Sequence, residues 1–136
     1  MNARQVINTL VEAENPKEFL KNVPRPGPEK WASLTGRENS YAYAISVAND
    51  SAWVEMYFSL EKDALQMRVS FVGVEEDDEP YDQFWRFEGD PLTLVNGLYQ
   101  AVREVERGVA TGSLRTGLDL ENAFREEVKA KVGNPA

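Results

Sequence analysis

Six carboxylates crowd into eight residues: Glu75, Glu76, Asp77, Asp78, Glu79 and Asp82, with Pro80 and Tyr81 between them. Oxygen ligands at that density suit two chemistries. They could coordinate a hard divalent cation. They could also present phosphate-like charge to a basic groove, as a nucleic-acid mimic does. The EF-hand spacing is not met, because no glycine falls where that loop must turn sharply. The plainer alternative is a solvated loop between strands that keeps the protein soluble and discourages edge-to-edge pairing.

A second set is Trp53, Glu55, Tyr57, Arg68, Ser70 and Arg86, which share one side of three alternating segments. Tryptophan, tyrosine and arginine are enriched where partners bind. The same residue types also pair across strands only to stabilise a wet sheet face. A third set is Thr111-Gly112-Ser113-Leu114-Arg115-Thr116-Gly117. Small hydroxyl residues and glycines can form an anion-binding nest. This stretch lacks the P-loop spacing and follows no strand, so an interhelical loop is the better reading. Glu55, Glu88 and Asp90 are further carboxylates near the sheet that could do acid–base work if buried.

The chain has no histidine and no cysteine. Histidine-based triads, thiol nucleophiles, disulfides and His- or Cys-ligated metal sites are therefore excluded within it. No cofactor is expected. The net charge of −8 is unevenly placed: residues 1–40 balance at +1, residues 41–90 at −9 and residues 91–136 at zero. Such a chain should avoid nucleic acid and anionic membranes, and could seek a basic protein partner. The opening residues lead into an amphipathic segment, not an apolar signal-like run. No stretch approaches the roughly 18 apolar residues that span a bilayer. The expected location is the cytoplasm.

The elements that must position these residues follow from periodicity. Val6, Ile7, Leu10 and Val11 predict a helix over residues 3–14. Asn15 caps a second, short one, with Pro16 at its first position and Glu18 at its third. The prolines at 24, 26 and 28 end it. From Ser40 the period changes to two. Tyr41, Tyr43, Ile45 and Val47 alternate with small residues, and Asn49-Asp50-Ser51 marks a turn. Val54, Met56, Phe58 and Leu60 share a face in the next run, and Leu65, Met67, Val69 and Phe71 in the third. A fourth strand over residues 83–88 places Trp85 and Phe87 on one side and Phe84, Arg86 and Glu88 on the other. Residues 75–82 would link the third and fourth strands. A helix over residues 91–107 has Asp90 as N-cap and Gly108 just past its end, with a stripe of Leu94, Val95, Leu98, Ala101, Val102 and Val105. A last helix over residues 118–132 carries Leu120, Phe124 and Val128.

The expected fold is one α+β domain over residues 1–136, in the order α-α-β-β-β-β-α-α: a four-stranded antiparallel β-meander with helices packed on one face. Trp53, Glu55, Tyr57, Arg68 and Arg86 then share the open face, subject to register, because a one-residue slip exchanges the faces.

The N-terminal stretch, Ala3-Arg4-Gln5-Val6-Ile7 through Asn15-Pro16-Lys17-Glu18-Phe19-Leu20, resembles the N-termini of small proteins encoded by tailed bacteriophages. The resemblance covers about twenty residues, includes no catalytic motif, and implies a phage-encoded accessory protein of the host cytoplasm. The acidic α+β plan is similar to that of type III secretion chaperones, but there a helix interrupts the strands and none does here. The leading expectation is a non-catalytic protein that binds a host or viral protein through the open sheet face and the acidic loop. The alternatives are an acidic mimic that inhibits a nucleic-acid-binding protein, a carboxylate-based metal-dependent enzyme, and a homodimer paired through the open sheet face.

Overall fold

The computed structural model describes residues 40–49, 51–74 and 81–135. The two helices expected before residue 23, and Glu75, Glu76, Asp77, Asp78 and Glu79, lie outside the described residues. The described elements are β1 (Ser40–Val47), β2 (Ala52–Glu61), β3 (Ala64–Val72), β4 (Tyr81–Glu88), α1 (Pro91–Ala110) and α2 (Gly117–Lys131).

The strands form one antiparallel sheet in the order β1-β2-β3-β4. The expected meander is present, and its register is continuous. Tyr43 faces Met56, Met56 faces Val69, Met67 faces Trp85, and Leu65 faces Phe87. Alternation puts Val54, Met56, Phe58, Leu65, Met67, Val69 and Phe71 on one side, and all are buried. In the connection from β1 to β2, Ala48 and Asn49 both take φ of 54°, and the Ser51 N–H donates to the Ala48 carbonyl at 3.1 Å.

Both helices cover the apolar face. Leu94, Val95, Leu98, Ala101, Val102 and Val105 of α1 are buried as expected, and so are Leu120, Phe124 and Val128 of α2. Together with the strands they form one core. The helices approach closely at Gly97, where a Cβ would lie 2.2 Å from the carbonyl oxygen of Lys131. Only a residue without a side chain fits there.

Two helix ends differ from expectation. Gly108 does not stop α1. It lies inside the helix, which runs on to Ala110, and its bare Cα makes room for Leu114, whose N–H donates to the Gly108 carbonyl at 3.0 Å. The terminating glycine is Gly112, at φ +79°, with its N–H on the Val109 carbonyl. At the start of α2, Thr116 accepts from the Asp119 N–H, and Asp119 reaches back to the Thr116 N–H. Asp119 therefore takes the capping-box position that Glu or Gln more often holds. Its carboxyl pKa is held below the usual value by the N–H groups of Arg115 and Thr116. That contribution to stability is present at neutral pH and is lost as pH falls through the depressed value. Thr116→Ala should cost about 1 kcal/mol, read as a lower urea midpoint with unchanged slope.

Candidate functional site

The side of the sheet turned away from the helices is built in cross-strand rows. Tyr57, Arg68 and Phe84 form one row. Ala44, Glu55, Ser70 and Asp82 form the next, and Ser59, Gln66 and Arg86 lie on the far side of the first. Trp53, opposite Val72, closes the other end. The expected set of Trp53, Glu55, Tyr57, Arg68 and Arg86 is thus carried on one face, as strand alternation demands.

Glu55 organises the centre. Its two carboxylate oxygens accept from the residues two positions away on either side: Trp53 Nε1 at 2.5 Å and Tyr57 Oη at 3.0 Å. Strand geometry allows this, because i and i+2 side chains project from the same face. The hydrogen bond to Glu55 pushes the Tyr57 phenol pKa upward, since ionising it would put two negative charges together. Arg68, directly across from Tyr57, lies with its guanidinium carbon 4.4 Å from the ring centroid. That is a cation–π contact, and it holds Arg68 flat on the sheet.

Arg86 is brought to the face but is engaged elsewhere. It donates to Glu61 at 2.6 Å and lies 3.7 Å from Glu88. Exposed pairs of this kind add little stability. Asp82 corrects one expectation. Composition reads the acidic run as linker through residue 82, but β4 already begins at Tyr81, and Asp82 sits within the sheet. It faces Ser70 and accepts that hydroxyl's hydrogen bond. The β3–β4 ladder continues through Ser70–Asp82 to Phe71–Tyr81, past the point where composition reads as loop.

Sequence reasoning left Phe84 out of the site. Phe84 is 77 % exposed, on β4, which is an edge strand among the described residues, directly across from Arg68. The signal was available in the register: the partner of Arg68 on β4 is the residue that completes the Tyr57–Arg68 row.

The other candidates do not come together. Asp90 is the N-cap of α1 and accepts from the N–H and hydroxyl of Thr93. Glu88, opposite Ala64, lies at the far end of β4 from Asp82, which shares the Glu55 row. No acid–base pair forms among Glu55, Glu88 and Asp90. The loop between α1 and α2 holds its own anion, because Asp119 occupies the N–H groups of Arg115 and Thr116. Among the described residues no group of three or more Asp or Glu is placed to hold a metal ion. An apolar recess of about 180 Å³ opens on the helix side of β4, beside Trp85 and the tail residues Gly133 and Pro135. It is small beside the few hundred Å³ of a typical ligand pocket. Among the described residues no helix is long and apolar enough to cross a membrane.

No family model, curated protein or solved structure matches the chain.

Proposed function

We propose that this chain is a non-catalytic accessory protein that captures another protein through the solvent-facing side of its sheet. The observation that carries this reading is the row of Tyr57, Arg68 and the 77 % exposed Phe84, flanked by Glu55 and Asp82. A large ring at that exposure gains by burial against a partner. Tyrosine and arginine beside it are the residue types that dominate binding energy. Glu55 and Asp82 favour a partner with basic residues around an apolar anchor, in keeping with the −9 balance of residues 41–90. A role without catalysis agrees with the absence of histidine and cysteine. The N-terminal resemblance favours a phage-encoded protein acting in the host cytoplasm.

The test is affinity capture with identification of the bound protein, followed by titration of that partner. Trp53→Ala combined with Tyr57→Ala, and Phe84→Ala alone, should each weaken binding about tenfold or more. Phe84→Ala should leave stability within about 0.5 kcal/mol, since its ring is not part of the core. Unchanged affinity in folded variants would assign binding to another surface. Changing Glu75, Glu76, Asp77, Asp78 and Glu79 to amides separates this reading from nucleic-acid mimicry. Mimicry requires those charges and a steep loss of affinity with salt.

A further inference from the structure

Among the described residues β4 pairs with β3 on one side only. Gly89 N–H donates to the Asp63 carbonyl at 2.9 Å, one step beyond the Glu88–Ala64 pair. Hydrogen-bonded and non-hydrogen-bonded pairs alternate along an antiparallel ladder. Phe87, Trp85 and Gln83 therefore direct their backbone groups toward β3. Asp82, Phe84, Arg86 and Glu88 direct theirs outward, and among the described residues no strand lies beyond them. The β3–β4 register runs without a bulge from Ala64–Glu88 to Phe71–Tyr81. The strand contains no proline and no lysine. A regular, aromatic edge without those protections is a template for another strand.

The side chains choose which strand. In a two-fold, antiparallel pairing every residue i meets j′ while j meets i′. Centred on Phe84, such a pairing puts Phe84 against Phe84 of the other copy and Asp82 against Arg86, twice over. Moving the centre by one residue to Trp85 puts Asp82 against Glu88, which is repulsive. The charge order Asp82, Phe84, Arg86 is thus self-complementary in one register and not in the next. We infer that two copies join β4 to β4 about a dyad at Phe84, forming a continuous sheet with both open faces on the same side. Phe84, Asp82 and Arg86 exchange about six backbone hydrogen bonds in that arrangement. The recess beside Trp85 leaves space on the helix side, where Gln83 of the other copy arrives. This inference rests on the strand edge and holds whether or not the open face captures another protein.

Sedimentation equilibrium of the full chain, from low to high micromolar concentration, is the test. The mass should rise from 15.3 kDa toward twice that value. Asp82→Arg and Arg86→Asp should each raise the dimer dissociation constant about a hundredfold, because each sets like charges against each other. The double variant D82R/R86D should return it to within about tenfold of the wild type. Phe84→Pro removes an outward-facing N–H without breaking a β3–β4 bond, and should leave only monomer. Far-UV circular dichroism checks that each variant is folded, and F84P decides the matter if a charge swap is not. Amide exchange at Phe84 and Arg86 should slow as concentration rises. A 15.3 kDa species at every concentration would overturn the inference. So would a dimer whose affinity ignores the charge swaps and F84P.

Discussion

Replacing Phe124 by alanine is expected to remove about 3–5 kcal/mol of stability, a large share of the 5–15 kcal/mol that holds a domain of this kind folded. The ring is fully buried at the centre of α2. It stacks on Trp85 at 6.0 Å with the planes 20° apart, and meets Phe71 edge-on at 6.0 Å and 73°. These are the two geometries that aromatic quadrupoles favour. Arg125, the next residue, lies 4.7 Å over the Phe71 ring and donates to Gln83, so the same turn of helix pins both β3 and β4. Truncation leaves a cavity that Trp85, on an edge strand, can only partly fill. Urea unfolding followed by tryptophan fluorescence measures the loss, and an unchanged slope would show that the denatured state is the same. A loss below about 1 kcal/mol would mean that β4 does not depend on this stack.

Glu106→Ala is expected to cost about 3 kcal/mol, because it removes the counter-charge of a buried arginine. Arg103 is only 1 % exposed, and its Nη1 donates to Glu106 Oε1 at 3.2 Å. The other carboxylate oxygen accepts from Tyr43 Oη at 2.7 Å, which ties α1 to β1. Deletion takes that carboxylate from a cation deep in the fold, and removes the Glu106 oxygen as an acceptor for a buried phenol. Glu106→Gln keeps an acceptor for Tyr43 but not the charge, and should fall between wild type and alanine. The same contacts set the alkaline limit. Burial first, and then the Glu106 charge, push the Tyr43 pKa well above its ordinary 10.0. A pKa raised in the folded state stabilises fully below the unfolded value, and that stability is lost as pH rises above it. Tyr43 should therefore stay neutral in a pH titration until the domain unfolds. Ionisation of Tyr43 near pH 10 in a folded protein would show that the phenol is not buried as described.

These residues also mark where the sequence was legible and where it was not. The period of two that begins at Ser40 specified the strands and the buried side of each, because a half-covered sheet can hide only alternate residues. Val54 to Phe58 and Leu65 to Phe71 were assigned to the correct face for that reason. Periodicity does not place Arg103 and Tyr99 in the core, although both are buried on α1. A polar or charged residue within an apolar stripe reads as the helix's wet side, and only a partner such as Glu106 permits its burial. Gly108 and Gly112 are alike in sequence. Leu114, folding back on α1, made one a packing position and left the other to end the helix.

The candidate site divides in the same way. Residue type and alternation alone brought Trp53, Glu55, Tyr57, Arg68 and Arg86 to one face. They could not say that Glu55 is held between Trp53 and Tyr57, or that Arg68 lies on Tyr57. Register decides those contacts, and register is a property of paired strands. Asp82 belongs by composition to an acidic linker, but pairing with β3 carries it within the sheet, opposite Ser70. Phe84 reads as one more alternating aromatic until β3 places Arg68 beside it, with no strand beyond it among the described residues. The sequence by itself determined which chemistry is absent, which residues alternate and how charge is distributed, because these depend on side-chain type and on neighbours along the chain. Tertiary structure decided which of those residues meet, since contact between strands depends on residues far apart in sequence and on the helices that bury one side of the sheet and leave the other to solvent.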